Sequence, residues 1–460
     1  YRVGGPGSWS VDYTFHTAPK NGCTPFRFVA LGDNRGDTGS QPSPHFKPIL
    51  QEVMSHGADF MVMTGDQVKD GEDADQWVDF LEVSGGAAPY LPFMPSLGNH
   101  DNDTVEGDAA LYNGVFALPR HAPGGVEDYY FFRYGNAIFV SLSMVTFKGG
   151  AKPFGDQAAW LDKVLTENPA TWKFVYFHHP IYTGVIGQFF GLDLFQGNHP
   201  PNEQQQNAAL VPVFDKHHVD IVFNGHNHFY QRYKPMIQGP DVEEGTPVDD
   251  YADGTVYMIT GGAGALTYDL SFLGLDLGKL ICLAEGSVAC SGLHHYVLVE
   301  IDGLELHVKV LSSKSQLTDK NAPVEVLDEF WVSKSGPEPN CDEPPVDEVE
   351  PQPEPSPESA AEPVVEPIAE ETGVEVIEAE PTPPAPDTGP IPQDTAKKPD
   401  VGVQPPPKVT HRTTSRGSDS GGGCGATPEA PRGGWPFLCF VLFATYLLIT
   451  RRRVARFTDR

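Results

Sequence analysis

Five short stretches of this chain carry residues that bind cations or move protons: Gly32-Asp33, Gly65-Asp66, Gly98-Asn99-His100-Asp101, His178-His179 and Gly225-His226-Asn227-His228. Carboxylate and amide oxygens mixed with imidazole nitrogens form a donor set suited to two adjacent divalent or trivalent metals. The middle stretch places an amide, an imidazole and a carboxylate on consecutive residues. That is a poor way to build a core, because each polar group needs a buried partner. Alone, Asn-His-Asp after a glycine reads as a polar turn. Five such stretches, each following an apolar run, read together as one site.

The apolar runs must position them. Residues 26–31, 59–64 and 92–94 are short buried strands ending at the first three stretches, with helices expected over 46–56 and 75–83. Residues 129–142 read as two strands joined at Tyr134-Gly135-Asn136, a hairpin signal. After an amphipathic helix over 157–165, strand 172–177 delivers His178-His179. Helix 208–218 and strand 219–223 then deliver the Gly225-His226-Asn227-His228 stretch. Strands over 254–260, 295–302 and 304–311 complete a second set. Strand, chemical loop and helix in repetition put ligands at the carboxyl ends of strands in α/β enzymes. Here the ligands come from both halves of a two-sheet sandwich. Residues 9–17 alternate bulky and polar side chains, as a half-buried strand does.

Charge narrows the function classes. The 460-residue chain carries a net −31, distributed unevenly. Residues 337–400 hold 18 Asp/Glu against two Lys, and residues 401–460 hold nine Lys/Arg against three Asp/Glu, which leaves −21 on residues 1–336. A body that acidic repels phosphate backbones, so no nucleic-acid surface is expected, whereas bound metal cations offset charge locally. The six cysteines lack zinc-finger spacing. Cys282 and Cys290 flank a short loop; they pair in an oxidising compartment, or remain two apolar thiols. The chain opens on Tyr1, and an upstream portion with any signal peptide is expected before it.

Taken in order, the Gly-Asp, Gly-Asp, Gly-Asn-His-Asp, Val175-Tyr176-Phe177-His178 and Gly-His-Asn-His stretches resemble the calcineurin-like metallophosphoesterases, in their purple-acid-phosphatase-like branch. The resemblance covers about residues 24–312. It implies an α/β fold, a four-layer α-β-β-α sandwich of two mixed sheets with helices outside. It also implies two metal ions (iron, manganese or zinc), with Asp66 bridging, Asp33 and His228 on the first, and Asn99, His178 and His226 on the second. The substrate class is then a small phosphate ester. His100, oriented by Asp101, is expected outside the metal shell, facing the phosphate as proton donor or transition-state stabiliser. Two positions depart from the pattern. Purple enzymes place a tyrosine three residues after the bridging aspartate, where this chain has Lys69, so a colourless protein is expected. Other members use Asp-x-His at the first motif, where Asp33-Asn34-Arg35 stands. Arg35 either holds a phosphate oxygen through its planar fork or makes a structural ion pair.

The remaining histidines and glycines read as structural. His179 packs beside His178, His199 reads as a solvated loop histidine in a Gly-, Pro- and Gln-rich insertion over 184–207 where a substrate-shaping loop would sit, and His217, His218, His294 and His295 lack supporting spacing. Gly261-Gly262-Ala263-Gly264 reads as a tight turn near the metal cleft, since no lysine and helix follow it. The expected organisation is residues 1–20 as the end of an upstream fibronectin-III-like β-sandwich, 24–312 as the enzyme and 313–335 as the domain's end or a linker. Residues 336–423 follow as an acidic, Pro/Glu-rich disordered stalk, and 424–460 as a tail with a membrane span over 435–450 ended by Arg451-Arg452-Arg453. Glycines, Cys424, apolar run and arginines resemble myxobacterial sorting tails, implying export, envelope attachment and a sorting protease. A phosphodiesterase or nucleotide pyrophosphatase with the same centre is the rival enzymatic reading. A surface adhesin with a structural metal is the non-enzymatic one.

Overall fold

The computed structural model describes residues 1–19, 22–37, 42–101, 110–143, 146–147, 150–151, 154–183, 202–238, 246–267, 271–272, 275–276, 286–314 and 324–336. The expected stalk beyond Gly336, the tail and span at 424–460, Cys282, His199 and most of the insertion at 184–207 lie outside them.

The principal strands in chain order are β1 (Phe26–Leu31), β2 (Phe60–Met63), β3 (Phe93–Pro95), β4 (Tyr130–Tyr134), β5 (Ala137–Ser141), β6 (Trp172–Phe177), β7 (Ile221–Asn224), β8 (Tyr230–Tyr233), β9 (Val256–Thr260), β10 (Ser287–Ser291), β11 (His295–Asp302), β12 (Glu305–Ser312) and β13 (Val326–Ser333). The helices are α1 (Phe46–Ser55), α2 (Ala74–Ser84), α3 (Ala110–Val115), α4 (Phe154–Glu167) and α5 (Asn202–His217). One sheet has six strands in the order β13-β12-β11-β1-β2-β3, and the other seven in the order β10-β8-β9-β7-β6-β5-β4.

Both sheets are mixed. In the first, β1, β2 and β3 run parallel, while β11 to β13 add antiparallel. In the second, β5, β6, β7 and β9 run parallel, while β4, β8 and β10 are antiparallel. Side chains on one strand alternate between two apolar environments, which is why the central strands read as unbroken hydrophobic runs. On β1, Phe28 and Ala30 enter the layer between the sheets, with Phe60, Phe139, Phe174 and Phe223. Its Val29 and Leu31 face outward against Ile49 and Val53 of α1 and Phe80 of α2. Val175 and Phe177 of β6 likewise face Leu161 of α4 and Phe214 of α5. The layers are therefore α, β, β, α, as the sequence led us to expect.

Three local expectations change. Residues 9–17 form no strand: only Gly4–Gly5 pairs with Ser8–Trp9, and Tyr1, Tyr13, Phe15 and Tyr90 cluster instead. The alternation there has no sheet edge to join, so Trp9 and Val11 stay exposed. The supposed linker at 313–335 contains β13, which pairs with β12 over its length. Its acidic residues disguise a half-solvated edge strand that places Phe330 on the core. Helix α5 begins at Asn202, inside what read as an insertion, because its polar first turn hides the helical period.

Candidate metal centre

Parallel strands bring their carboxyl ends to one edge, and there the backbone bends sharply. Asp33, Asp66 and His226 all adopt left-handed conformations, with φ of +59°, +58° and +69°. Such a bend costs a non-glycine residue about 1 kcal/mol or more and persists only where the surroundings fix it. They do. Asp33 N–H donates to the Gly65 carbonyl (2.9 Å), Asp66 N–H to Asp101 Oδ2 (2.8 Å), and His226 N–H to the Asp33 carboxylate (2.9 Å). Gly98 is obligatory here, since a Cβ would lie 2.2 Å from Asp66 N and Oδ1.

Asn99, His178, His226 and Asp66 converge on one point. His178 Nδ1–H donates to the Thr64 carbonyl (2.8 Å), which turns Nε2 toward the site. That Nε2 lies 3.0 Å from Asn99 Oδ1, 3.2 Å from His226 Nδ1 and 3.3 Å from Asp66 Oδ1; Asn99 Oδ1 lies 2.9 Å from His226 Nδ1. A carboxylate, an amide oxygen and two ring nitrogens at mutual contact are mostly acceptors, and a shared cation satisfies them all. The same electrostatics act on a proton. Burial opposes charging His178, yet the carboxylates of Asp66 and Asp33 hold its pKa up at about 9. Burial likewise works against the Asp66 carboxylate, but His178, His100 and Arg35 keep it well below the usual range. These residues fit a metal.

Beside it, ligand atoms of Asp33, Asp66 and His228, all buried, lie within 4.8 Å of one another. His228 Nδ1–H donates to the Leu266 carbonyl (2.9 Å), leaving Nε2 3.4 Å from Asp33 Oδ1. Asp66 belongs to both groups, with Oδ1 beside His178. Arg35 shares the first position. Its Nε–H donates to Asp66 Oδ2 (3.2 Å), Nη1–H to Asp37 Oδ1 (3.2 Å), and Nη2–H lies 3.5 Å from His228 Nε2. Arg35 thus makes a buried ion pair with Asp66 and Asp37, the structural role of the two expected. Lys69, in the tyrosine position, donates from Nζ to the Asp37 carbonyl.

The expected pairing of His100 and Asp101 is revised. His100 Nδ1–H donates to the Lys69 carbonyl (2.7 Å), and its backbone N–H to Asp66 Oδ1 (3.0 Å). Asp101, fully buried, accepts from the backbone N–H groups of Asp66 (2.8 Å), Gln67 (2.7 Å), Val68 (3.1 Å) and Gly98 (2.9 Å). It clamps the loop that carries Asp66 instead of orienting the His100 ring. A carboxylate three residues after a tight glycine turn satisfies orphan amides better than it reaches its neighbour's side chain.

His179 packs against His226, ring centres 4.4 Å apart and planes tilted by 34°. His294 stacks on His45 at 4.0 Å and His295 donates from Nδ1 to the Leu293 carbonyl, consistent with packing roles. Gly261 approaches Asp33, where a Cβ would lie 2.9 Å from Oδ2, so that turn does border the site. Sequence reading missed the carbonyls of Thr64, Lys69 and Leu266 that fix three imidazoles, and no side-chain pattern signals a carbonyl. It also missed Asp37, whose pairing with Arg35 is legible only once the two meet in the fold.

Residues 26–230 match the calcineurin-like phosphoesterase family. The chain is 27% identical over 289 residues to an uncharacterised protein of Mycobacterium tuberculosis, covering 55% of this chain and 52% of that one. It is 26% identical over 243 residues to the Fe(3+)-Zn(2+) purple acid phosphatase 12 of Arabidopsis thaliana, covering 50% and 48%. The chain spans about half the length of these curated relatives. A purple acid phosphatase structure from yellow lupin seeds superposes with a TM-score of 0.53 at 19% identity, over 71% of this chain and 57% of that one. Residues 26–230 thus match the calcineurin-like phosphoesterase family model, and the chain shares its fold with the lupin purple acid phosphatase structure.

Proposed function

We propose that the chain hydrolyses small phosphate monoesters at a dinuclear metal centre, with Asp66 bridging, Asp33 and His228 holding the first ion, and Asn99, His178 and His226 the second. The observation that carries this reading is the convergence of Asn99, His178, His226 and Asp66 on one point, beside Asp33 and His228. Two bound ions would polarise a phosphoryl oxygen and acidify a water for in-line attack. The chain's own residues do the rest. The loops lock the donors in place before substrate arrives, so little reorganisation is needed. His100, fixed through Nδ1 by the Lys69 carbonyl, would in its doubly protonated form donate from Nε2 to the departing oxygen. Asp101 positions the bridging carboxylate through the backbone.

Turnover of an aryl phosphate and of a bis-aryl phosphodiester, with and without chelator, tests this. Monoester turnover abolished by chelator is expected. Preference for the diester would move the chain to the phosphodiesterase reading, and inertness with metal bound would favour an adhesin.

We further infer that the protein works outside the cytoplasm, attached through its tail. Supporting this, Cys23 and Cys290 each take part in a disulfide bond, and disulfides persist in oxidising compartments. Among the described residues no helix is long and apolar enough to cross a membrane, so the attachment rests on the sequence of 424–460 alone. Mass spectrometry of the mature C-terminus checks it: an intact Arg460 would exclude processing at the tail.

A further inference from the structure

We infer that Asp37 is a positioning residue for His228: its carboxylate holds Leu266, whose carbonyl aims the imidazole into the first metal position. The inference rests on the two-metal reading above for what the ring then holds, and deepens it.

Its basis is a run of hydrogen bonds between two loops. The loop after β9 lies against the loop after β1, with Ala263 N–H donating to the Gly32 carbonyl (3.0 Å) and Ala265 N–H to the Asp33 carbonyl (2.7 Å). Gly264 fits between them, since a Cβ would lie 2.9 Å from the Asn34 carbonyl oxygen. The Leu266 side chain is 71% exposed, so apolar packing does not fix that residue. Its N–H donates to Asp37 Oδ2 (2.6 Å), a bond strengthened by the carboxylate charge. Its carbonyl accepts from His228 Nδ1–H (2.9 Å). A carbonyl only accepts, so Nδ1 carries the proton and Nε2 faces Asp33 Oδ1 at 3.4 Å. Partners of this kind set the tautomer and direction of a ligating imidazole.

Asp37 is itself held. Its Oδ1 accepts from Arg35 Nη1–H (3.2 Å) and its carbonyl from Lys69 Nζ, while Arg35 Nε–H donates to Asp66 Oδ2 (3.2 Å). One carboxylate thus takes an N–H on each oxygen and ties the shared ligand, Asp66, to His228. An amide of the same shape accepts through one oxygen and turns its N–H₂ toward the other donor.

Two readouts test this, the first independent of metal and of turnover. In the metal-free chain, nitrogen-15 NMR of the imidazoles should show His228 Nδ1–H exchanging with water on the order of tenfold faster in Asp37→Ala than in the wild type. Asp37→Asn should show the same direction, so a failure of Asp37→Ala to fold does not protect the inference. In the second readout, the wild type is loaded with zinc and dialysed against a mild chelator, and it should retain about two ions per chain. Asp37→Ala should retain about one, its first ion weakened by about 10–100-fold. The same loss is expected when Arg35 is already Met, because the route runs through Leu266. An unchanged Nδ1–H exchange rate in the folded Asp37 variants would overturn the inference and leave the two-metal reading standing. A metal loss that vanishes in the Arg35→Met background would also overturn it, since Asp37 would then act through Arg35. A wild type that retains no zinc would overturn the two-metal reading, while the exchange rate still decides what Asp37 does to His228.

Discussion

At the second position Asn99, His178 and His226 face one another and Asp66 with only ligand atoms between them. At the first, Asp33 and His228 face Asp66 with a guanidinium wedged alongside. Backbone preparation is equal: left-handed residues serve both, and Asp66 belongs to both. The positions therefore differ in the side chains each gathers and in the guanidinium beside the first. Ligand geometry and ion affinity are separable properties of such a centre, because a scaffold can hold donors in place while a fixed neighbouring charge lowers what they gain from an ion.

The strongest way to break that comparison is to remove the shared ligand. Asp66→Asn should cost about a thousandfold or more in kcat/KM and empty both positions, read by kinetics and metal analysis. Removing private ligands sharpens it. Asn99→Ala should weaken the ion at the second position by about a hundredfold and lower retained metal. His228→Ala should weaken the ion at the first position by about as much and leave the second in place. Metal content of the two variants side by side is the check.

Asp101→Asn tests the scaffold beneath both positions. The amide would turn an N–H₂ toward backbone donors, costing about 2–3 kcal/mol in denaturant unfolding. Activity should fall further than stability explains, because Asp66 shifts. The smallest effect comes from pH and falls on the first-position side. His295, wholly buried, has its pKa pushed down to about 4, first by burial, and its N–H donates to Gly262 of the turn beside Asp33. The neutral form is favoured in the fold, so this stabilisation is complete above the unfolded value of about 6.5 and is lost as pH falls toward 4. About 2 kcal/mol should be gone by pH 5 relative to neutral. Thermal unfolding of the chelated protein across that range measures it, and His295→Gln should flatten the slope.

Much of the fold was open to sequence reading. The unbroken runs of β1, β2, β6 and β7 could only be strands buried on both faces, and the polar residues after each could only be a gathered site. Edge strands were not legible. β13 mixes Asp328 and Glu329 with Phe330 and Trp331, and such a pattern gains meaning only from its pairing with β12. The terminal alternation over 9–17 misled for the opposite reason, having period without a partner.

Residue type and order alone determined the ligand identities: which positions supply carboxylate, amide or imidazole is a covalent fact. Tertiary structure decided what those side chains face. It turned Asp101 away from His100 and onto four backbone amides, because buried N–H groups near a sharp turn need an acceptor more than a part-buried imidazole does. It also seated Arg35 on Asp66, because a guanidinium taken out of water needs the carboxylates at hand. Those outcomes depend on distances between stretches far apart in the chain, and no local pattern encodes them.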